Sequence, residues 1–426
     1  MYPHLRRLLP LLGLLLPAAA IHADDRVASL DDWPAWTREA MTTEARRLKF
    51  RRVETPDDSV RTRLPGKTEA PQAMDDGWYF ISDIKAESPL ECYLFTSSRD
   101  LATLIDVIAE ASIEAIAGGH DNAGNRRVFH IGAGEVAGLP YLSLEWIYTV
   151  QQDGQTMVGF TKVRAAAKGD RAFACNHNYL GYRETFARAF AEFVTSTDMD
   201  DMTTQPFYEE IARLDMNGFG TGVVYASYST DDEGDIHMYA SEASLMPVDA
   251  ATISTSDSYT VTYSTADGEM INAHEIGVEN GEITSNLMLQ RNAAGTWVSS
   301  GSLQGDGLIG IQGPIGHLRP RRPRSLQRLW PDRFRTRFNV ARNLFAGDAT
   351  SASLLVWTPV IDPTRLLEAT MTRDDAEVER QAILTMGPVS YRGRFDASGN
   401  LENADMTIGP MTLNIERIWS RGSLLE

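Results

Sequence analysis

The densest chemistry in this sequence lies between Leu318 and Arg342, where nine arginines stand against a single acid, Asp332. Arg319, Arg321 and Arg322 fall beside Pro320 and Pro323, which favour an irregular loop. Further on, Arg333-Phe334-Arg335-Thr336-Arg337-Phe338-Asn339-Val340 alternates. A period of two predicts a strand with Phe334, Phe338 and Val340 on one face and Arg333, Arg335 and Arg337 on the other. Guanidinium forks suit oxyanions, so two uses follow. Arg319, Arg321, Arg322, Arg333, Arg335 and Arg337 form a rim for an anionic partner, or the segment is a basic linker lying against the chain's own acidic body.

Cys92 and Cys175 are the only cysteines. In an exported chain such a pair reads first as a disulfide. Closing a loop of roughly 84 residues is worth about 4 to 5 kcal/mol by chain-entropy arithmetic. Cys175-Asn176-His177 also sets a thiol two residues from an imidazole, but a nucleophilic cysteine needs a base and an orienting group that adjacent sequence does not supply.

Other motifs fall short of chemistry. Gly132-Ala133-Gly134-Glu135-Val136-Ala137-Gly138 imitates a dinucleotide fingerprint, yet Leu139-Pro140 and a strand follow where a helix is required. The eight histidines are scattered without zinc spacing. Asp231-Asp232-Glu233-Gly234-Asp235 lacks the ligand spacing of a calcium loop and reads as a hairpin turn. No nucleophile elbow or phosphate loop is present. Paired carboxylates of a glycosidase have no local signature, and 58 acidic residues leave too many pairs to choose from. The sequence therefore implies no metal and no cofactor.

The elements that would position these groups fall into two sets. Asp31 to Phe50 reads as a helix, and Arg51 to Asp76, with three prolines, as an extended connector. Strands are expected at Trp78–Ile84, Glu91–Phe95, Arg127–Ile131, Tyr141–Gln151, Thr156–Ala166 and Ala172–Asn176. Asp153-Gly154 marks a hairpin among them. Leu101, Leu104, Ile105, Ile108, Ala111 and Ala115 recur at helical spacing, as do Phe186, Ala189, Phe190 and Phe193. A third helix is expected at Gln205 to Leu214. Beyond it, turn signals at Asp267-Gly268, Asn280-Gly281, Gly295 and Asp306-Gly307 separate short strands, as in an antiparallel meander.

The first 23 residues bear on compartment. Arg6 and Arg7 precede the apolar run Leu8 to Leu16, and small residues lead to Ala23. This pattern predicts a cleaved secretory signal. The net charge of −18 argues against nucleic-acid binding. No later run is long and apolar enough to span a bilayer, so no transmembrane segment is expected in the mature chain.

The expected organisation is a signal peptide at 1–23, an N-terminal helix and extended connector at 24–77, and an α+β N-terminal domain at 78–197. That domain is an antiparallel sheet with two covering helices. A mostly antiparallel all-β domain follows at 198–426, its curved sheet a half-barrel or barrel interrupted by the Arg-rich insertion at 318–342. The leading functional expectation is a non-catalytic periplasmic protein, or a secreted one, binding a lipid or other amphipathic ligand in the groove of the curved sheet. Met270, Met288, Met371, Met386, Met406 and Met411 fall on the strands of that domain or at their ends. The alternatives are a structural module docking an anionic partner through the Arg-rich segment, and a secreted hydrolase of polysaccharide or ester substrates.

Overall fold

The computed structural model describes residues 28, 31, 33–118, 122–152, 154–198, 205–265, 270–303, 309–314, 336–357, 367–374, 379–386, 389–408 and 411–423. The described chain is mostly antiparallel β, arranged in large curved sheets that do not close. The expected signal segment at 1–23 lies outside the described residues.

The chain enters through α1 (Ala35–Met41) and a hairpin of β1 (Phe50–Glu54) and β2 (Arg61–Pro65). The reading of Arg51 to Asp76 as a bare connector is thus corrected. Val53, Val60 and Leu64 bury their side chains in a core, which an extended linker cannot do. The first helix is also shorter than its composition suggested.

Next come β3 (Gln72–Met74), β4 (Gly77–Ser82), β5 (Leu90–Phe95), α2 (Leu101–Ala117), β6 (Ala123–Val136), β7 (Leu139–Gln152), β8 (Gln155–Lys168), β9 (Arg171–His177) and α3 (Arg183–Ser196). The seven strands form one antiparallel sheet in the order β3-β4-β5-β9-β8-β7-β6. Between β6 and β7 the chain reverses at Ala137 and Gly138, both at positive φ, so strand-turn-strand replaces any dinucleotide geometry. β7 is buried almost along its whole length because both its faces are covered. On one face α2 packs Leu101, Ile105, Ala109 and Ile113 onto Leu142, Leu144, Trp146 and Val163. On the other, α3 packs Phe186, Phe190 and Phe193 around Phe80, Phe173 and the Cys92–Cys175 disulfide. The two cysteines stand directly opposite on β5 and β9, 4.1 Å apart at Cα.

The second sheet has fourteen strands. They are β10 (Tyr208–Met216), β11 (Phe219–Thr230), β12 (Ile236–Pro247), β13 (Ile253–Ser264), β14 (Met270–Glu279), β15 (Glu282–Arg291), β16 (Trp297–Leu303) and β17 (Ile309–Pro314). After α4 (Thr336–Ala346) follow β18 (Ser351–Val356), β19 (Leu367–Arg373), β20 (Gln381–Met386), β21 (Val389–Phe395), β22 (Leu401–Ile408) and β23 (Met411–Gly422). Both halves are meanders, joined where β10 pairs with β23. The helix expected at Gln205–Leu214 is instead β10. Tyr208, Ile211 and Leu214 mimic helical spacing, but pairing on both edges, with β11 and β23, overrides it. The strand expected at Arg333–Val340 is likewise overturned from Thr336 onward, where the backbone is the helix α4.

The outer face of β11 and β12 leans on the first sheet, where Val223, Ala243 and Leu245 join the α2 core. The link is sharpest at the start of α2. Asp100 precedes the helix without a side-chain cap. Asp257, buried on β13, instead accepts hydrogen bonds from Ala102 N at 2.9 Å and from Thr103 N and Thr103 Oγ1 at 3.0 Å. These satisfy amide groups that a helix leaves open. The Tyr259 hydroxyl adds a bond to Asp100 Oδ1 at 2.8 Å.

Replacing Asp257 by Ala is expected to lower stability by about 2 kcal/mol, and by Asn clearly less, because an amide oxygen still accepts from the helix. Joint replacement of Cys92 and Cys175 by Ala is expected to cost about 2 to 4 kcal/mol. Equilibrium urea unfolding followed by tryptophan fluorescence checks both.

Candidate functional site

Register assigns each strand of the large sheet one outward and one inward row. On β13 the outward residues include Asp257 and Tyr259, so the inward ones are Ser254, Ser256, Ser258, Thr260, Thr262 and Ser264. Every inward side chain of that strand is a hydroxyl. Glu242 on β12 stands opposite Ser258, and Glu275 on β14 opposite Thr260. Gly277 and Glu279 continue the β14 row. Beyond them the inward row turns apolar with Ala273, Leu287, Leu289 and Trp297. On the opposite side of the strip lie Tyr208, Ala226 and Tyr228, with Met238 and Ala240 against them.

This row is the concave side. Trp357, just after the end strand β18, packs against Ala273, Leu289 and Trp297 near the other end of the sheet. Only curling toward this face brings those ends together. On the same face α4 sets Ala341 and Leu344 against Ala369, Met371, Ala382, Leu384 and Phe395. The inner wall is therefore covered by α4 along β19–β21, mixed along β15–β16, where Leu287, Leu289 and Trp297 alternate with Ser285 and Ser299, and lined by a strip of hydroxyls and carboxylates along β12–β14, a trough in outline.

The carboxylates of that strip are not neutralised. Glu242, Glu275 and Glu279 make no ion pair among the described residues. Burial pushes all three carboxyls upward, and Glu275 reaches about 7, with Glu242 as the second cause. Ser264 and Ser299, both fully buried, have hydroxyls without a hydrogen-bond partner among the described residues. Unpaired buried hydroxyls and desolvated acids are costly features in a core and ordinary features of a binding surface.

Two other hollows are less suited to a ligand. The junction of the sheets holds a cavity of about 20 Å³ beside Tyr225, Tyr239, Asp257 and Tyr259, room for little more than water. There Glu209 is buried, accepts from the Tyr225 hydroxyl at 2.6 Å, and pairs with Lys168 and Arg421. The outer face of β10, β22 and β23 has an open hollow of about 650 Å³. Its polar groups satisfy one another: Arg213 pairs with Asp215 at 2.9 Å and Glu416 at 3.0 Å, and Asn414 donates to Asp405 at 2.6 Å.

The sequence-derived candidates are distributed otherwise. The disulfide consumes Cys175, so no thiol remains beside His177. His177 is buried among Tyr179, Tyr182 and Phe186, and burial holds its imidazole well below the usual range. Lys162, its cross-strand neighbour, donates to the carbonyls of Tyr179 and Gly181 and so fixes that loop. Asp231 accepts from Glu233 N and Asp235 N, an ordinary hairpin turn. Arg319, Arg321, Arg322, Arg333 and Arg335 lie outside the described residues, and Arg337 falls in the first turn of α4. Of the methionines, Met371 is buried on the trough wall while Met288 is exposed on the outer face. Sequence reasoning missed Glu242, Glu275 and Glu279; the one available signal was the run of Ser and Thr at alternate positions from 254 to 264.

No family model matches this chain, and no curated protein matches it either. Twenty solved chains resemble it in structure. A β-barrel-like protein of a domain of unknown function from Brucella abortus aligns with 50% of this chain and 96% of its own, at 11% identity and a TM-score of 0.34. The PsbP protein of the cyanobacterium Synechocystis aligns with 35% of this chain and 92% of its own, at 11% identity and a TM-score of 0.25. A protein from Bacteroides thetaiotaomicron aligns with 38% and 52%, at 11% identity and a TM-score of 0.22. These scores are too low to bear on function. Among the described residues no helix is long and apolar enough to cross a membrane.

The raised Glu275 carboxyl has a consequence for stability. Its pKa of about 7 lies above the ordinary value of 4.5, so folding favours its protonated form. That contribution is complete below pH 4.5 and is lost as the pH rises through 7. Glu275→Gln is therefore expected to stabilise the protein at pH 8 by about 1 kcal/mol, after allowing for solvent in the trough, and to change nothing at pH 4. Calorimetric melting at the two pH values reads the difference.

Proposed function

We propose that this is an exported, non-catalytic envelope protein that binds an amphipathic ligand, such as a lipid, along the trough of the large sheet. The supporting observation is the composition of the inner wall. Leu287, Leu289 and Trp297 supply buried apolar surface beside a strip of hydroxyls and unpaired carboxylates. A ligand with an apolar body and a polar head matches both zones, and adaptable apolar grooves with few polar groups are the usual form of such sites. In this reading residues 78–197 form an α+β unit that braces the outer side of a half-barrel formed by 198–426. The Arg6-Arg7 and Leu8–Leu16 pattern supports export to the periplasm, and the Cys92–Cys175 bond suits an oxidising compartment.

Native mass spectrometry of protein purified from its host envelope is expected to show co-purified ligand, and delipidated protein to take up a fluorescent fatty-acyl probe saturably. Thr260→Trp, which fills the trough, is expected to weaken the probe about tenfold, or about 1.4 kcal/mol, without unfolding the protein. A delipidated protein that binds no acyl probe would remove the proposal.

A further inference from the structure

We propose that Lys162 is the lock of a pH-sensitive strap, the segment 33–45, which stays clasped on the first sheet while the Lys162 amine is uncharged and loosens when the amine takes a proton. This inference stands apart from the trough and its ligand.

The strap begins with an apolar contact. Trp33 and Met41 pack with Leu180 over Ile147 of β7 and Phe160 of β8, and all five side chains are buried. Its downstream end is held by the turn between β9 and α3. Tyr182 N donates to Thr43 O at 2.6 Å. Ala45 N donates to Thr185 Oγ1 at 3.0 Å, and the Glu44 carboxylate accepts from Glu184 N at 2.9 Å and Thr185 N at 2.8 Å. Gly181, at positive φ, lies so close to Ala40 O that no Cβ would fit between them. The strap thus rests on the backbone of residues 178–182, and whatever fixes that turn fixes the strap.

Lys162 fixes the turn. Its side chain is fully buried, and Nζ donates to Tyr179 O and, at 2.9 Å, to Gly181 O. It makes no ion pair among the described residues, and the groups around it supply no free counter-ion. On β7, Glu145 is taken by Arg183 of α3 at 2.7 Å. Glu44 of the strap is spent on the α3 amides. On β9, burial and Lys162 itself hold the His177 imidazole well below its usual range. His130 on β6 and Arg164 on β8 share the neighbourhood of Glu145 and Arg183 and add no negative charge. On the turn, Tyr179 and Tyr182 carry phenols that stay protonated.

A neutral amine has two N–H groups, and the two carbonyls take them up. An ammonium adds a third N–H and a charge, both out of water and without a counter-ion. Burial therefore draws the amine down to about 7, with Glu145 as the largest opposing influence. Opening the turn returns it to water and to its ordinary value of 10.5. The closed value lies below the open one, so the stabilisation of the closed strap is complete above pH 10.5. It drains away as the pH falls to 7 and changes little below that. The opening equilibrium is accordingly about fiftyfold larger at pH 7 than at pH 9.

Hydrogen exchange of the full-length protein at pH 7 and pH 9, read by peptide mass spectrometry and corrected for the intrinsic rate at each pH, tests this. Peptides covering 33–45 and 178–185 are expected to lose protection about fiftyfold from pH 9 to pH 7, while those of α2 and β7 keep theirs. Lys162→Met, which cannot take a proton, should make protection of the two peptides independent of pH, whatever its level. Lys162→Arg, permanently charged, should leave them poorly protected at both pH values; if that variant fails to fold, the Met variant decides. Equal wild-type protection at the two pH values would overturn the proposal. So would an unchanged pH dependence in Lys162→Met, which would assign the titration to another group. Loss of protection by α2 and β7 in step with the strap would overturn it too, as global rather than local opening.

Discussion

A carboxylate on one sheet closes the open end of a helix that belongs to another. Asp257 lies on β13, yet its oxygens are the cap of α2, whose own preceding residue offers none. Burial pushes this carboxyl up to about 6 against the pull of two backbone amides and the Thr103 hydroxyl. The cap therefore retains its charge at neutral pH at a desolvation cost, which the orphaned amides of a buried helix start offset. Through it the outer face of the large sheet is fixed on the first sheet, in register with the α2 core.

The same strand carries the candidate site on its other side. Because side chains alternate across a strand, the odd residues that dock to α2 leave the even ones facing the trough. Sliding β13 by one residue would put Asp257 among the hydroxyls and a serine at the helix start. Capping and ligand surface are thus two consequences of one register. Curvature completes the arrangement, since Trp357 reaches Ala273, Leu289 and Trp297 only if the fourteen strands bend toward the hydroxyl strip.

Much of the scaffold was legible locally. The cysteine pair, the amphipathic spacing of Leu101 to Ala115, and the Asn280-Gly281 turn are signals contained within a few residues, and the structure matches them. Local signals failed where neighbours decide. Tyr208, Ile211 and Leu214 carry helical spacing inside a strand bonded on both edges. Arg337 and Phe338 alternate like a strand inside a helix. The polar stretch after Arg51 holds three apolar side chains that matter only because α3 is there to cover them.

The site separates the two kinds of information most clearly. The sequence by itself determined that residues 254 to 264 place hydroxyls at every second position, because strand periodicity is a property of the backbone. It could not decide which face would be wet, or that Glu242 and Glu275, 33 positions apart, would face the same hollow. Those outcomes depend on the pairing of β12, β13 and β14 and on the direction in which the sheet bends, both set by contacts between distant segments.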